Sequence, residues 1–337
     1  MTTNYAQAGV DIAAATRAKE LMSAAVRSTH GPAVLAGMGA FGGCFDAGMA
    51  LNGLTAPVLV GSSDGVGTKT LVAAAMNRYD SVGQDLVNHC INDILVQGAR
   101  PLFFLDYVAA AKLNPEQIAA IVGGVAAACR SAGCALLGGE TAEMPDVYAP
   151  GAFDLAGTIV GVVERDTMLP QPTIGAGDAI LALPSSGLHT NGYSLARRIA
   201  AVAGYNARPA ILGGESIGEA LLAVHRSYLS EVATLRAAVD VKGLAHITGG
   251  GIYDNLPRIL PANLGARIAR GSWAIPPIFT YLVEQGGVAE REAFHALNMG
   301  LGMLVVIPAA AVEVALGALP QVRRVGTIVG EPGVELV

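Results

Sequence analysis

The stretch that decides the fold reads Pro57-Val58-Leu59-Val60-Gly61-Ser62-Ser63-Asp64-Gly65-Val66-Gly67-Thr68-Lys69. Its apolar first part, bounded by proline and glycine, is typical of a buried strand. Its last six residues offer a carboxylate, two flexible glycines, a hydroxyl and an ammonium, the groups that a polyphosphate with Mg²⁺ requires. The segment is not a Walker A loop, because five residues rather than four separate Gly61 from Gly67. It indicates a phosphate site of another type.

The composition predicts two domains of ordinary size in a chain of 337 residues. Hydrophobic residues make up 52%, charged residues only 14%, and the mean hydropathy is +0.48. The longest apolar run, Ile118 to Cys129, is too short to span a bilayer, and Met1 to Gln7 shows no signal peptide. We therefore expect a cytoplasmic protein without membrane contacts, and its low charge predicts a large interface in a homo-oligomer.

The charge pattern disfavours nucleic-acid binding. The net charge is −6, and no block of five basic residues occurs. A polyanionic ligand would instead be held by backbone amides, bound metal and a few placed cations. The four cysteines lack a CxxC pair and are interpreted as core thiols of a reducing compartment: Cys44, Cys90, Cys129 and Cys134.

Predicted strands and helices alternate along the chain, which favours layered α/β domains. The proline-containing segment Leu169 to Pro172 is the best candidate linker between two α/β halves. Helices are predicted at Ala13–Ser28, Val82–Gln97, Pro115–Arg130, Ser194–Ala203, Glu219–Val239 and Tyr253–Leu260. Strands are predicted at Val58–Gly61, Pro101–Val108, Ala135–Leu137, Leu155–Val163, Ala179–Leu183, Ala266–Ala269, Gly302–Ile307 and Arg324–Val329.

The helix that begins near Val82 carries a wide polar stripe at four-residue spacing. Asp85, His89 and Asp93 share one row of this stripe. A solvated face is one interpretation. The other is a metal site that includes Asp93, since Mg²⁺ prefers a few carboxylates together with phosphate oxygens. His89 is expected to pack or hydrogen-bond, because imidazole is a poor ligand for Mg²⁺.

A third carboxylate, Glu140, follows paired glycines at the end of a short apolar run. Such a carboxylate can reach a ligand, although an ordinary turn explains the pattern equally well. Asp64, Asp93 and Glu140 all lie at or near the ends of predicted elements. Together they outline a Mg²⁺–nucleotide site.

Glycine-rich loops occur at three further places. Gly37 to Gly42 matches GxGxxG, but no helix follows, so we interpret it as a flap over a nucleotide or as a flexible loop. Ser185 to Ser194 offers many donors for a phosphate or amide, or else a helix-capping turn. Thr248 to Gly251 allows a close backbone approach to a ligand or forms a tight turn.

These segments, in this order, resemble the phosphoribosylformylglycinamidine cyclo-ligases, the aminoimidazole ribonucleotide synthetases of purine biosynthesis. The runs Phe103-Phe104-Leu105-Asp106-Tyr107 and Gly138 to Pro145 are highly specific for that family. The other matching stretches are Tyr5–Ile12, Ser63–Lys69, Val96–Tyr107, Ser185–Leu195 and His246–Pro257.

The resemblance implies a two-domain α/β fold. An ATP- and Mg²⁺-binding domain at residues 1–168 would pair its strands across a homodimer, and a second α/β domain at residues 173–337 would contribute to the substrate site. The implied reaction is ATP-dependent ring closure of formylglycinamidine ribonucleotide to 5-aminoimidazole ribonucleotide, with ADP and phosphate as by-products. In this chemistry ATP phosphorylates the formyl oxygen, a substrate nitrogen attacks the activated carbon, and phosphate leaves.

Site roles follow from the resemblance position by position. Catalytic roles fall to Asp64, Lys69 and His189, and Mg²⁺ ligation falls to Asp64, Asp93 and Glu140. His189 would move a proton during ring closure or only hydrogen-bond. Contacts to ATP are implied at Gly37, Gly39, Gly42, Gly43, Asp64, Gly65, Gly67, Thr68, Lys69, Asn92, Gly139 and Glu140. Contacts to the substrate are implied at Ser185, Ser186, His189, Thr190, Asn191, Gly249 and Gly250.

Rival interpretations share the fold and part of the metal motif. Selenophosphate synthetases usually carry a reactive cysteine or selenocysteine near the N-terminus, whereas the first cysteine here is Cys44. Thiamine-phosphate kinases and hydrogenase maturation proteins are the other enzymes of this type. A nucleotide-binding scaffold without catalysis is disfavoured, because the acidic and polar site residues are all present.

Overall fold

A computed structural model describes residues 11–337 of the chain in two compact units. The first unit contains the described residues up to Ile94 together with Arg100–Arg165, and the second contains Leu95–Ala99 and Asp166–Val337. Both combine helices and sheets, so the predicted α/β class is confirmed. Most of the matching stretch Tyr5–Ile12, namely residues 5–10, and the N-terminal residues 1–7 lie outside the described part.

The first unit is built on a four-stranded sheet in the order β3-β6-β4-β5. Strands β4 and β5 are parallel, and the other neighbours are antiparallel. The strands are β1 Val34–Ala36, β2 Cys44–Phe45, β3 Pro57–Gly65, β4 Arg100–Ala110, β5 Ala135–Glu143 and β6 Phe153–Glu164. The helices are α1 Ile12–Arg27, α2 Ala47–Ala50, α3 Lys69–Met76, α4 Asp80–Leu95 and α5 Pro115–Ser131. Strands β1 and β2 form a separate small ribbon.

Helix α4 lies against both the sheet and α5 at glycines that leave no room for a side chain. A Cβ atom on Gly83 would lie 2.0 Å from the carbonyl oxygen of Ile121, and one on Gly124 would lie 2.2 Å from that of Asp80. On the sheet side, a Cβ on Gly157 would lie 3.1 Å from a methyl group of Leu86. These contacts fix the position of the helix that carries the polar stripe.

The second unit is built on a six-stranded sheet in the order β12-β9-β11-β7-β10-β8. Its central strands β7 and β10 are buried and apolar, as expected for strands covered on both faces. The strands are β7 Ala179–Pro184, β8 Gly243–His246, β9 Gly265–Ile268, β10 Leu301–Ile307, β11 Arg323–Val329 and β12 Gly333–Leu336. The helices are α6 Tyr193–Ala203, α7 Ile217–Leu221, α8 Leu229–Ala238, α9 Gly251–Asn255, α10 Pro277–Gly286, α11 Glu290–Ala296 and α12 Val312–Ala318.

Two sequence-based element bounds are wrong in an informative way. The predicted helix Glu219–Val239 is two helices, α7 and α8, because His225 and Tyr228 between them bond to other parts of the unit. His225 contacts His246 on β8, and the Tyr228 hydroxyl donates to the carbonyl oxygen of Pro184 on β7. Strand β3 continues to Gly65, so Asp64 lies within the strand rather than after it.

The glycines of α5 offer a matched test of the packing of α4. Gly124→Ala should lower the free energy of unfolding by about 1–3 kcal/mol, because the new methyl group meets the backbone of α4. Gly123→Ala, at a position with no atom within 4 Å of the new carbon, should raise it by about 0.5–1 kcal/mol through helix propensity. Urea unfolding measures both variants. Equal effects would contradict the packing described.

Candidate active site

Two carboxylates of the first unit meet at a buried imidazole where β3 faces α4. The Nε2 atom of His89 lies 2.9 Å from Oδ2 of Asp64 and 3.5 Å from Oδ2 of Asp93. The hydroxyl of Ser62 lies 3.4 Å from the same Asp93 oxygen. Because alternate residues of a strand share a face, Ser62 and Asp64 both point towards α4. The structure thus unites Asp64 and Asp93, as predicted, but with a histidine between them.

The acidic pair determines the charge of this histidine. Burial alone would lower the pKa of His89, but hydrogen bonds and attraction from Asp64 and Asp93 outweigh it and raise the pKa to about 9. For Asp64 burial acts in the other direction and raises the pKa of the carboxyl. Contacts with His89 and with the backbone N–H of Gly65 outweigh burial and bring this pKa below its ordinary value. The imidazole is therefore a cation at neutral pH, and it lies between two carboxylates.

Lys69 is paired with a carboxylate in the interior of the first unit. Its Nζ lies 2.8 Å from Oδ2 of Asp85 on α4, and both side chains are fully buried. Burial lowers the pKa of Lys69, and the neighbouring Asp85 opposes that effect. In this arrangement the ammonium joins α3 to α4 rather than facing solvent. Asn92, next to Asp93 on α4, is also fully buried.

Glu140 does not converge with the other two carboxylates. Asp64 pairs with Gly157, Gly157 with Asp106, and Asp106 with Gly139, the residue before Glu140. Three strand spacings of ~4.8 Å therefore place Glu140 roughly 14 Å from Asp64. The predicted set of three metal ligands is divided between the two edges of the sheet. Asp106 lies between them, and burial raises its pKa to about 7.

Glu140 instead lines a cavity of about 1310 Å³ with the glycine-rich loop. This loop joins β1 to β2, so GxGxxG forms a hairpin tip. The short helix α2 follows β2, so the expectation that no helix follows the motif is wrong. Gly43 packs against Leu137, where a Cβ would lie 2.4 Å from a side-chain carbon, and Phe41 at the tip is fully exposed. The predicted ATP-contacting residues that line this cavity are Gly37, Gly39, Gly42, Gly43, Gly139 and Glu140.

Apart from Asn92 on α4, the remaining predicted ATP-contacting residues of the first unit lie at the end of β3 and the start of α3. Gly67 has a φ of +54°, which favours glycine. Thr68 precedes α3 without a side-chain capping bond, and Gly65 donates its N–H to Asp64. The segment from Asp64 to Lys69 thus runs from the end of β3 to the start of α3. Its first residue belongs to the group Asp64, His89 and Asp93, called the acidic cluster below.

In the second unit, the predicted substrate loops lie side by side. The Ser185 hydroxyl donates to Oδ1 of Asn298, and the Ser186 hydroxyl donates to the carbonyl oxygen of Val224. Asn191 adjoins Gly249, since a Cβ at Gly249 would lie 3.2 Å from Oδ1 of Asn191. The predicted substrate-contacting residues therefore belong to two adjacent loops: Ser185, Ser186, His189, Thr190, Asn191, Gly249 and Gly250.

His189 is held in an uncommon conformation. It has a φ of +62°, is almost completely buried, and its Nε2 accepts the N–H of Ser186 at 3.3 Å. Its ring stacks on His225, a residue that no sequence motif indicated. His225 has no local motif around it, whereas His89 lay in the four-residue spacing and was expected to pack or hydrogen-bond, as it does with Asp64.

Two family descriptions match nearly the whole chain. "AIR synthase related protein, N-terminal domain" covers residues 46–163, and the corresponding C-terminal domain covers residues 175–337. Solved structures show the same fold at low identity. The hydrogenase maturation protein HypE of E. coli has a TM-score of 0.69 at 20% identity, covering 94% of this chain and 92% of that one. Thiamine-monophosphate kinase from Stenotrophomonas maltophilia has a TM-score of 0.68 at 20% identity, and the match covers 94% of this chain and 95% of that one.

The two family matches identify the chain as an AIR synthase-related protein. Curated relatives show which family within this class the chain is similar to. The phosphoribosylformylglycinamidine cyclo-ligase of Desulfitobacterium hafniense (strain DSM 10664 / DCB-2) is 50% identical over 307 residues, covering 91% of this chain and 90% of the relative. The cyclo-ligase of Alkaliphilus oremlandii is 46% identical over 337 residues, and the match covers 98% of this chain and 97% of the relative. The chain belongs to the phosphoribosylformylglycinamidine cyclo-ligase family, and the family prediction is confirmed.

The buried Lys69–Asp85 pair predicts a strong effect on stability. Lys69→Met should lower the free energy of unfolding by about 3–5 kcal/mol, because it leaves the Asp85 carboxylate buried without its ammonium. The double variant Lys69→Met with Asp85→Leu should recover most of this loss. Chemical denaturation measures all three proteins, with the exposed Lys112→Met as the control. A single variant as stable as the control would contradict the pairing.

The raised pKa of His89 predicts a dependence of stability on pH. The pKa rises from 6.5 to about 9 on folding, so the imidazolium stabilises the metal-free fold fully below pH 6.5. This contribution, about 3 kcal/mol, should disappear as the pH rises through 9. Urea titrations of the wild type and His89→Gln should show their difference shrinking over this range. A constant difference, or an equal change in the exposed His295→Gln, would oppose the assignment.

Proposed function

We propose that the protein closes the imidazole ring of 5-aminoimidazole ribonucleotide. It converts formylglycinamidine ribonucleotide and ATP into this product, ADP and phosphate, within de novo purine biosynthesis. The supporting observation is identity of 46–50% over nearly the full length to relatives named for this cyclo-ligase activity. As a member of that family the protein is an enzyme, an ATP-using ligase.

The acidic cluster fits a divalent cation. Asp64 and Asp93 supply carboxylate oxygens, the ligands that Mg²⁺ prefers. The protonated His89 between them marks the position as one that attracts positive charge. Bound Mg²⁺ would neutralise the phosphates of ATP. A related fold, the hydrogenase maturation protein HypE, has been solved in complex with ATP. Glu140 would act from the other edge of the sheet, on a different part of the nucleotide.

The proposed reaction depends on charge neutralisation and on positioning of the reactants more than on covalent catalysis by the protein. Transfer of the terminal phosphoryl group to the formyl oxygen converts that oxygen into a leaving group. A nitrogen of the substrate then attacks the formyl carbon, the C–O bond breaks, and phosphate departs with the oxygen. The glycine loop from Gly37 to Gly43 would cover the nucleotide. Lys69 would act indirectly, by holding α3 against α4.

The loops of the second unit would hold the substrate. Ser185, Ser186, Thr190 and Asn191, with the glycines Gly249 and Gly250, offer hydroxyl, amide and backbone groups within a small region. His189 presents an imidazole whose Nε2 accepts a backbone N–H, so that its neutral form carries the proton on Nδ1. In the proposed reaction His189 would move a proton during ring closure or form a hydrogen bond.

We further propose a cytoplasmic homodimer formed through the first unit. The sheet face opposite α4 carries apolar side chains in contact with solvent, including Leu59 at 62% and Leu105 at 37% exposure. A second copy would cover this face, as monomeric proteins rarely leave such surface open. Within residues 11–337, helices are either too short or too polar to cross a bilayer.

The proposed function predicts turnover that requires both substrates. Purified protein should release ADP and phosphate only when ATP, Mg²⁺ and formylglycinamidine ribonucleotide are all present, with equimolar 5-aminoimidazole ribonucleotide. Asp64→Asn should lower this turnover by ~10²–10³-fold, since it removes a carboxylate from the proposed metal site. Asp166→Asn, at an exposed position, should retain it. Coupled ADP release and chromatography of the product measure both quantities.

Each rival predicts a different outcome of the same assay. ATP binding without turnover would favour a scaffold. Phosphorylation of thiamine monophosphate would favour a kinase, and selenide-dependent ATP use would favour a selenophosphate synthetase. Equal activity of Asp64→Asn and Asp166→Asn would remove Asp64 from the site while leaving the reaction itself in place.

A further inference from the structure

The glycine-rich loop carries an aromatic side chain at its tip, Phe41. This side chain is fully exposed, more so than any other large hydrophobic side chain in residues 11–337. Single exposed apolar side chains are common and by themselves indicate nothing. Phe41, however, lines the cavity of about 1310 Å³ together with Gly139 and Glu140. Its position at the opening of this cavity therefore needs an explanation.

Both ends of the loop are packed against the first unit. A Cβ on Gly37 would lie 2.5 Å from Cε1 of the His30 ring, and Gly43 packs against Leu137 as described above. A larger residue at either position would push the loop away from the residues that support it. The two ends of the loop are therefore fixed in place.

The part of the loop between these ends is open. A Cβ on Gly39 or Gly42 would meet no atom of the described residues within 4 Å. Gly39 has a φ of +99°, a conformation that favours glycine. The tip that carries Phe41 can therefore move over the cavity while the two ends stay where they are.

The size and the wall of the cavity fit a flat apolar group under such a tip. Pockets for small ligands commonly measure ~300–1,000 Å³, so this cavity is more open than a filled site. Its wall includes the rings of Phe45 and Phe103, whose centroids lie 5.2 Å apart. Closure of the tip would reduce the volume and bring the ring of Phe41 onto a ligand held in the cavity.

We propose that Phe41 stacks on the base of the bound nucleotide when the glycine-rich loop closes over the cavity. This inference rests on the proposed function, in which ATP lies beside Gly139 and Glu140. Every nucleobase has a flat π-face on which an aromatic ring can stack. The phosphates are left to Mg²⁺ and the acidic cluster, so that Phe41 acts on the base alone.

Calorimetry of nucleotide binding without formylglycinamidine ribonucleotide tests the assignment. Phe41→Ala should weaken the binding of Mg²⁺–ATP by ~10–100-fold. The same variant should bind Mg²⁺–tripolyphosphate, which has no base, as the wild type does. The matched control is Leu35→Ala, which removes an exposed apolar side chain from β1 of the same hairpin and should leave ATP binding unchanged.

Fluorescence supplies a second measurement at the same position. Phe41→Trp keeps an aromatic ring and adds an indole to a chain whose only tryptophan is Trp273, in the second unit. It should bind ATP as tightly as the wild type, and ATP should quench its fluorescence beyond the change seen in the wild type. Tripolyphosphate should not produce this quenching.

The other outcomes separate this inference from the function on which it rests. ATP binding by Phe41→Ala equal to that of the wild type would overturn the stacking and leave the proposed ring closure in place. A wild type that binds no ATP would contradict the proposed function itself. Equal losses for ATP and tripolyphosphate would assign Phe41 to the phosphates and overturn the proposal.

Two controls exclude a structural role of Phe41. Urea unfolding of Phe41→Ala should match that of the wild type, because the side chain is fully exposed. Sedimentation velocity shows whether the variant changes its oligomeric state. Dissociation of an oligomer with unchanged ATP affinity would make Phe41 an interface residue and overturn the proposal.

Discussion

Helices α4 and α5 touch through backbone atoms, and the charged site of the first unit depends on this contact. Gly83 and Gly124 allow α4 and α5 to approach until carbonyl oxygens lie where side chains would otherwise be. On the sheet side a side chain makes the contact, because a Cβ on Gly157 would lie 3.1 Å from a methyl group of Leu86. Any larger residue would move the helix outwards and with it Asp85, His89 and Asp93. Close packing at these glycines therefore sets the distances between the charged groups of the site.

The polar row of α4 is arranged by depth. Asp85 is fully buried and bound to Lys69, His89 is buried between Asp64 and Asp93, and Asp93 is partly open to solvent. Three carboxylates and two cations leave this group with one negative charge when all are ionised. The inner pair stabilises the helix contact, while the outer carboxylates remain available to a ligand. A single row of residues thus serves packing at one end and chemistry at the other.

The sequence predicted the parts of the site that depend on local pattern. A carboxylate near the end of a strand and another on a helix at four-residue spacing identified Asp64 and Asp93. The buried state of Lys69 could not be predicted, because it requires Asp85 from a different helix. The separation of Glu140 from Asp64 depends on strand order, which local spacing does not contain. His225 escaped notice, and Glu219–Val239 was predicted as one helix, for the same reason: contacts with β7 and β8 override the helical pattern.

One level of the first sheet alternates acid and glycine across its four strands: Asp64, Gly157, Asp106 and Gly139. Directly paired residues share a face, and the ring of Phe104 fills the space above Gly157, 2.1 Å from where its Cβ would lie. With a pKa of about 7, Asp106 is divided between its neutral and charged forms under ordinary cellular conditions. The charge of Asp106, which lies in the same sheet as Asp64, therefore varies with small changes in pH, while the charge of the acidic cluster stays constant.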